Sequence, residues 1–244
     1  MLRRFEMPLS SGPTKMITDM EVALPWGGDQ TLRIENMSRV NLFTGRNCSG
    51  KSTVLRLMAE ALGNNTLSRS RLGDFSVAPC VATDEAVRVV RNLFDQTLTG
   101  VACPGCDPLG IGERPDGSPL NFSDGMKDVF SLIQFMCAVS VRWGYIFMDL
   151  SALAIHPDVM PKLAYEIISL ARSLDVQLFL LTYSKEFIDA FVAMDTEPSS
   201  VSYIAIVRPE NNITEAVCFK GDAYKRLVEA GGVDIRRATC HWHI

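Results

Sequence analysis

The chain has 244 residues, 47% of them apolar, enough to bury a large core in one α/β domain spanning residues 1–244. A formal net charge of -4 excludes a global basic field of the kind that draws proteins onto nucleic acid or anionic lipid, so any DNA contact has to come from a local patch. Seven cysteines scattered through apolar segments suit reduced thiols in a cytoplasmic protein better than a disulfide framework, and no signal peptide or membrane span is expected.

In chain order, residues 16 to 34 alternate apolar and polar positions around Pro25-Trp26-Gly27-Gly28-Asp29, which predicts a hairpin of Met16 to Leu24 with Gln30 to Ile34. Arg39 to Thr44 is a short apolar strand that runs into a glycine-rich turn. Beyond that turn Val54, Leu55, Leu57, Met58, Ala61 and Leu62 keep helical spacing, with Gly63 as a stop. Asp84 to Leu98 has helical character, and the glycine- and proline-dense stretch 100–119 predicts loops, an irregular hairpin or a small inserted subdomain. Gly125 to Val141 is apolar at helical length, Tyr145 to Met148 a buried strand, Pro157 to Arg172 an amphipathic helix, and Val176 to Leu181 a second buried strand. Val201 to Arg208 and Ile213 to Phe219 flank the turn Pro209-Glu210-Asn211-Asn212, and a last helix covers about Ala223 to Ala230. Strands alternating with helices predict an α/β fold with a mainly parallel sheet flanked by helices, and antiparallel hairpins in the N- and C-terminal parts.

The turn between the third strand and the first helix reads Gly45-Arg46-Asn47-Cys48-Ser49-Gly50-Lys51-Ser52-Thr53, the P-loop pattern. Phosphates carry several negative charges and need donors at close range, which glycines supply by letting backbone N–H groups approach. Lys51 is placed to reach the β- and γ-phosphates of ATP, Ser52 to offer its hydroxyl to Mg²⁺, and the Asn47 to Thr53 amides to cradle the anion. Cys48 reads as a small loop residue.

These residues resemble the ABC/SMC-like ATPases of the RecF and OLD branch, often called AAA-family ATP-binding proteins. Val40 to Leu55 is similar to their Walker A segment. Asn121-Phe122-Ser123-Asp124-Gly125-Met126-Lys127 is similar to their signature motif, and the resemblance implies that Ser123, Asp124 and Gly125 meet the γ-phosphate held by an opposite subunit. Tyr145-Ile146-Phe147-Met148-Asp149 with Ile155-His156-Pro157 resembles their Walker B strand and the His-Pro that opens the next helix, which implies a catalytic Asp149 that holds Mg²⁺ through water. Thr182 to Ile188 resembles the switch segment, and Gly232-Val233-Asp234-Ile235-Arg236 the closing motif. The likeness implies a homodimer closing across ATP.

Two positions depart from that pattern. Leu150 stands where the resembled family places a glutamate that orients the attacking water, and Tyr183 stands at the switch histidine. The expectation is an ATP-binding protein with slow or impaired hydrolysis, in which Asp158, His156 or Glu186 are the alternatives for positioning water. Analogy with the family adds a setting, a sensor or regulator beside a partner effector protein in a prokaryotic defence or mobile-element system. The alternative is a DNA-associated processing ATPase with active hydrolysis.

Other features carry two readings each. Cys103-Pro104-Gly105-Cys106 with Cys240, His241 and His243 is either a zinc site or a turn flanked by thiols plus a free tail. Arg69, Arg71, Arg88 and Arg91 are either a solvated face or a local DNA patch. Arg236 is either part of such a patch or half of a structural ion pair, and Met126, Met136 and Met148 read as core filler.

Overall fold

A computed structural model describes residues 15–26, 30–62, 112–113, 119–120, 132, 136, 144–151, 155–195, 200–208 and 213–238. Three apolar segments pair in parallel in its main sheet, with β3 (Val40–Thr44) and β6 (Tyr145–Asp149) on either side of β7 (Gln177–Leu181). The strand β8 (Val201–Val207) adds in parallel to the other edge of β3, and β9 (Glu215–Lys220) closes that side antiparallel, giving the order β6-β7-β3-β8-β9. The hairpin β1 (Met20–Ala23) with β2 (Thr31–Ile34) is a separate antiparallel pair lying beside β9. A short antiparallel pair, β4 (Gly112–Glu113) with β5 (Pro119–Leu120), lies at the end of the stretch 100–119, for which loops, an irregular hairpin or a small subdomain are expected.

The central strands are apolar on both faces because each face is covered. Alternate residues sort into two layers. Val40, Leu42, Ile146, Met148, Leu178, Leu180, Tyr203 and Ala205 face one core; Phe43, Phe147, Phe179, Leu181, Ile204 and Ile206 face the other. The first core is covered by α2 (Met160–Ser173), α3 (Lys185–Met194) and α4 (Gly221–Gly231), joined by the helical residues Leu132 and Met136. The second is covered by α1 (Lys51–Ala61) and the β1–β2 hairpin, and the Phe147 and Phe179 rings stack in it at 4.4 Å.

Two buried amides tie these layers to the chain entering them. Asn41, fully buried inside β3, accepts from the Ser38 N–H and donates to the carbonyls of Ser38 and Leu178. Gln177 makes a two-way pair with the backbone of Ile17 and donates to the Ser38 carbonyl, which anchors the residues before β1 against β7. Satisfied polar groups of this kind fix register where apolar contacts alone would allow slippage.

The structure also contains a helix the sequence reading did not separate: α3 begins only a few residues after β7. Ser184 caps it, accepting from the Phe187 N–H at 3.0 Å, and its buried stripe is Phe187, Ile188, Ala190, Phe191 and Val192. Pro157–Val159 forms a 3-10 turn that opens α2, and Ile235–Arg237 forms a second one after α4. Among the described residues no helix is long and apolar enough to cross a membrane.

Candidate functional site

The parallel strands β3, β6 and β7 end at one edge of the sheet: Phe43 is level with Leu181, and Leu181 with Asp149. Segments leaving that edge converge there, as ligand sites of open α/β sheets do. The turn after β3 requires both its glycines. Gly45 has φ 133°, and a Cβ there would lie 2.4 Å from the carbonyl oxygen of Ile206 on β8. Gly50 has φ 90°, and a Cβ there would lie 2.5 Å from Cη2 of Trp26, whose indole covers this side of the turn. Between them Arg46, Asn47 and Cys48 are exposed, and Cys48 takes the left-handed conformation with φ 63°.

Helix α1 then starts at Lys51 with no side-chain cap and no acidic residue in its first turn. Its free N–H groups and positive dipole end therefore face the turn without a competing carboxylate. Lys51 is 2% exposed. Its ammonium donates to the Arg46 carbonyl and, at 3.3 Å, to Ser49 Oγ, so the lysine spans the turn from inside. Burial pulls its pKa below the usual lysine value, while Cys48 and Asp149 oppose that shift.

Tyr183 comes off the end of β7, between the turn and Asp149. The Lys51 ammonium sits 4.7 Å from the centre of its ring. Burial raises the phenol pKa, and the Asp149 carboxylate adds to it. Three hydrogen bonds hold its carbonyl and its chain neighbours. The Thr182 N–H donates to the Phe43 carbonyl at 3.0 Å, the Ser184 N–H to Thr182 Oγ1 at 3.2 Å, and Arg236 Nη1 to the Tyr183 carbonyl at 3.0 Å. Arg236 is itself paired with Asp234 at 2.7 Å, so the structural ion pair read from the sequence is present, though at the surface of the closing turn rather than in the core.

Asp149 accepts from the Ser151 N–H at 3.0 Å and from Ser151 Oγ at 2.5 Å. Leu150 does not face the cleft: it is 4% exposed within the first core, and its N–H donates to the Leu181 carbonyl at 2.7 Å. The Thr44 hydroxyl, buried at the base of the turn, has no hydrogen-bond partner among the described residues. A lysine ammonium, free helix amides, a serine hydroxyl and a carboxylate form the donor set of a magnesium–phosphate ligand, so the residues present fit that group.

The fold therefore gathers Gly45 to Thr53 and Asp149 at one edge. Ser123, Asp124 and Gly125 lie outside the described residues, as do Cys103, Cys106, Cys240, His241 and His243 and the arginines 69, 71, 88 and 91. Among the described residues no group of three or more His, Cys, Asp or Glu is placed to hold a metal. Of the alternative water-positioning residues, His156 and Asp158 pair with each other at 3.5 Å on the surface, and Glu186 accepts from Ser184. Two side chains at the site escaped the sequence reading: Trp26 covers Gly50 and donates to Thr214 Oγ1 at 3.1 Å, and Arg208 lies 5.6 Å from the Trp26 ring. No periodic signal marks either of them, because each contact joins distant parts of the chain.

No family profile and no curated protein sequence matches the chain. Solved structures do. The SMC head domain from Thermotoga maritima matches with a TM-score of 0.50 at 13% identity, over 83% of this chain and 98% of that one. An SmcHead bound to the C-winged helix domain of ScpA matches with a TM-score of 0.53 at 10% identity, over 84% and 95%. The chain thus has the fold of the ABC/SMC-type P-loop ATPases.

Proposed function

We propose that this chain, as one domain, binds ATP with Mg²⁺ at the turn Gly45 to Thr53 and closes into a homodimer across the nucleotide, with slow or impaired hydrolysis. The observation that carries the reading is the placement of Lys51: an ammonium enclosed by its own glycine turn, at the uncapped start of α1, beside Asp149. Lys51 and the turn amides would hold the phosphates, while Ser52 and Asp149 would hold the cation, Asp149 through water. The bound Mg²⁺ supplies charge neutralisation between phosphate oxygens. Ser123, Asp124 and Gly125 of a second copy would close over the terminal phosphate.

The low-turnover part rests on Leu150. An aliphatic side chain in the core neither orients water nor accepts its proton, and phosphoryl transfer depends on positioning of this kind. A branch close to RecF and OLD proteins, and a role as a sensor beside a partner effector in a defence system, agree with these departures. The neighbour bound to a ScpA domain is an instance of an SMC head held by a partner protein.

Calorimetric titration with Mg-ATP tests the reading. The wild-type chain is expected to bind, and Lys51→Ala to lose about a hundredfold in affinity, the scale of a charge-assisted contact to phosphate. Equal affinities would remove the phosphate assignment. Phosphate release measured on the same samples should be barely above background; rapid release stimulated by DNA would favour the processing ATPase instead.

A further inference from the structure

Contacts from two directions set the position of the Lys51 ammonium. Its own turn supplies the Arg46 carbonyl and Ser49 Oγ, and the segment after β7 supplies the Tyr183 ring, 4.7 Å from Nζ. That segment, Thr182 to Ser184, has no regular structure, and its residues are held separately. Thr182 donates to the sheet and Ser184 to Thr182, whereas the Tyr183 carbonyl accepts from a guanidinium 53 residues away, Arg236 Nη1 at 3.0 Å. Arg236 is in turn aimed by Asp234, through Nε at 2.9 Å and Nη2 at 2.7 Å. The turn that carries both is anchored by Ile235, fully buried in the first core, whose N–H donates to Tyr224 Oη at 3.2 Å. We propose that Arg236 is a positioning residue for the phosphate site: it fixes Tyr183, and the Tyr183 ring steadies Lys51. The inference rests on the nucleotide-binding reading and adds to it a residue that acts through another side chain.

The residue type fits that task. A guanidinium holds its N–H groups in one rigid plane, so Arg236 serves the Asp234 carboxylate and the Tyr183 carbonyl at the same time and at fixed angles. A lysine ammonium keeps the charge opposite Asp234 but has neither the plane nor the reach. One charge-assisted hydrogen bond at a partly exposed position corresponds to about fivefold in the balance between a held and a released segment. Release takes the ring away from Nζ. A less ordered Lys51 then binds phosphate more weakly, because its ordering is deferred to the moment of binding.

The test observes the ring first and the ligand second. In protein carrying isotope-labelled lysine, the ring current of Tyr183 displaces the NMR signal of the Lys51 ε-methylene, which is assigned by its loss in Lys51→Ala. Tyr183→Ala gives the position of that signal without the ring. Arg236→Lys and Arg236→Ala should both move it at least half of the way there and leave the other lysine signals in place. Calorimetric titration should show Arg236→Lys binding Mg-ATP about fivefold more weakly than wild type, with no further loss when it is added to Tyr183→Ala. A purely structural role would weaken binding equally in both backgrounds. An unmoved Lys51 signal, an unchanged Mg-ATP affinity or equal losses in the two backgrounds overturns the positioning role and leaves the nucleotide site standing. A wild-type chain that binds no Mg-ATP, in which Arg236→Lys still moves the signal, overturns the nucleotide reading and keeps the link from Arg236 to Lys51. Should Arg236→Ala fold poorly in a melting scan, Arg236→Lys decides, since it retains the charge opposite Asp234.

Discussion

Leu150 shows how one side chain separates ligand binding from chemistry. It stands directly after Asp149, but the alternation of β6 turns consecutive residues to opposite sides, and Leu150 goes into the core with Ile146 and Met148 nearby in the same cluster. A glutamate introduced there would not simply reach the cleft. It would bury a carboxylate among apolar groups, at a cost of about 2–4 kcal/mol. Leu150→Glu should therefore lower the urea midpoint by a corresponding amount and leave phosphate release near the wild-type background. Wild-type stability in that variant would place residue 150 at the cleft instead. The glycines and Lys51 were legible because their requirement is local: a turn of fixed length before a helix. Trp26 over Gly50 and Tyr183 over Lys51 were not, because each contact joins residues far apart in sequence and depends on sheet order.

At the scale of elements, the closing 3-10 turn and the segment after β7 are joined by polar contacts through Arg236. The closing 3-10 turn is capped by Asp234, which accepts from the Arg236 N–H at 3.1 Å and from its guanidinium at 2.7 and 2.9 Å. The guanidinium hydrogen bond, more than the backbone one, holds the Asp234 carboxyl below the usual aspartate value of 3.8. A lowered folded pKa means stability that is present above 3.8 and lost as pH falls through the folded value. Asp234→Asn keeps the cap but loses the charge. Since Arg236 is about one-third exposed, the expected cost at neutral pH is only about 1 kcal/mol. Urea unfolding of the two proteins should differ at neutral pH and converge in acid below the ordinary aspartate value; a difference that persists in acid would assign the effect to packing. The central strands were legible as uninterrupted apolar runs, because both of their faces are buried. Helix α3 was not, since its apolar residues Phe187 to Val192 come so soon after β7 that only the Ser184 cap marks the boundary.

For the whole molecule, alternating strands and helices predicted a parallel sheet, but the order β6-β7-β3-β8-β9 could not be read from local pattern. That order brings Asp149, Tyr183 and Lys51 to one edge, and it leaves Arg46, Asn47 and Cys48 exposed around the site. A second copy closing over this edge would meet a phosphate-loaded surface, and association linked to ligand grows with ligand concentration. Light scattering behind size exclusion should show the mass doubling with Mg-ATP in the wild-type chain and staying monomeric in Lys51→Ala. Salt separates this from a nucleic-acid role. Each copy carries a formal charge of -4, so the two repel at long range and moderate salt should leave the dimer unchanged or strengthen it. Binding to DNA would weaken steeply over the same range as counterions compete for the phosphates. Dissociation of the Mg-ATP dimer by a rise from low to physiological salt would mean that opposite charges, not a shared nucleotide, hold the copies together.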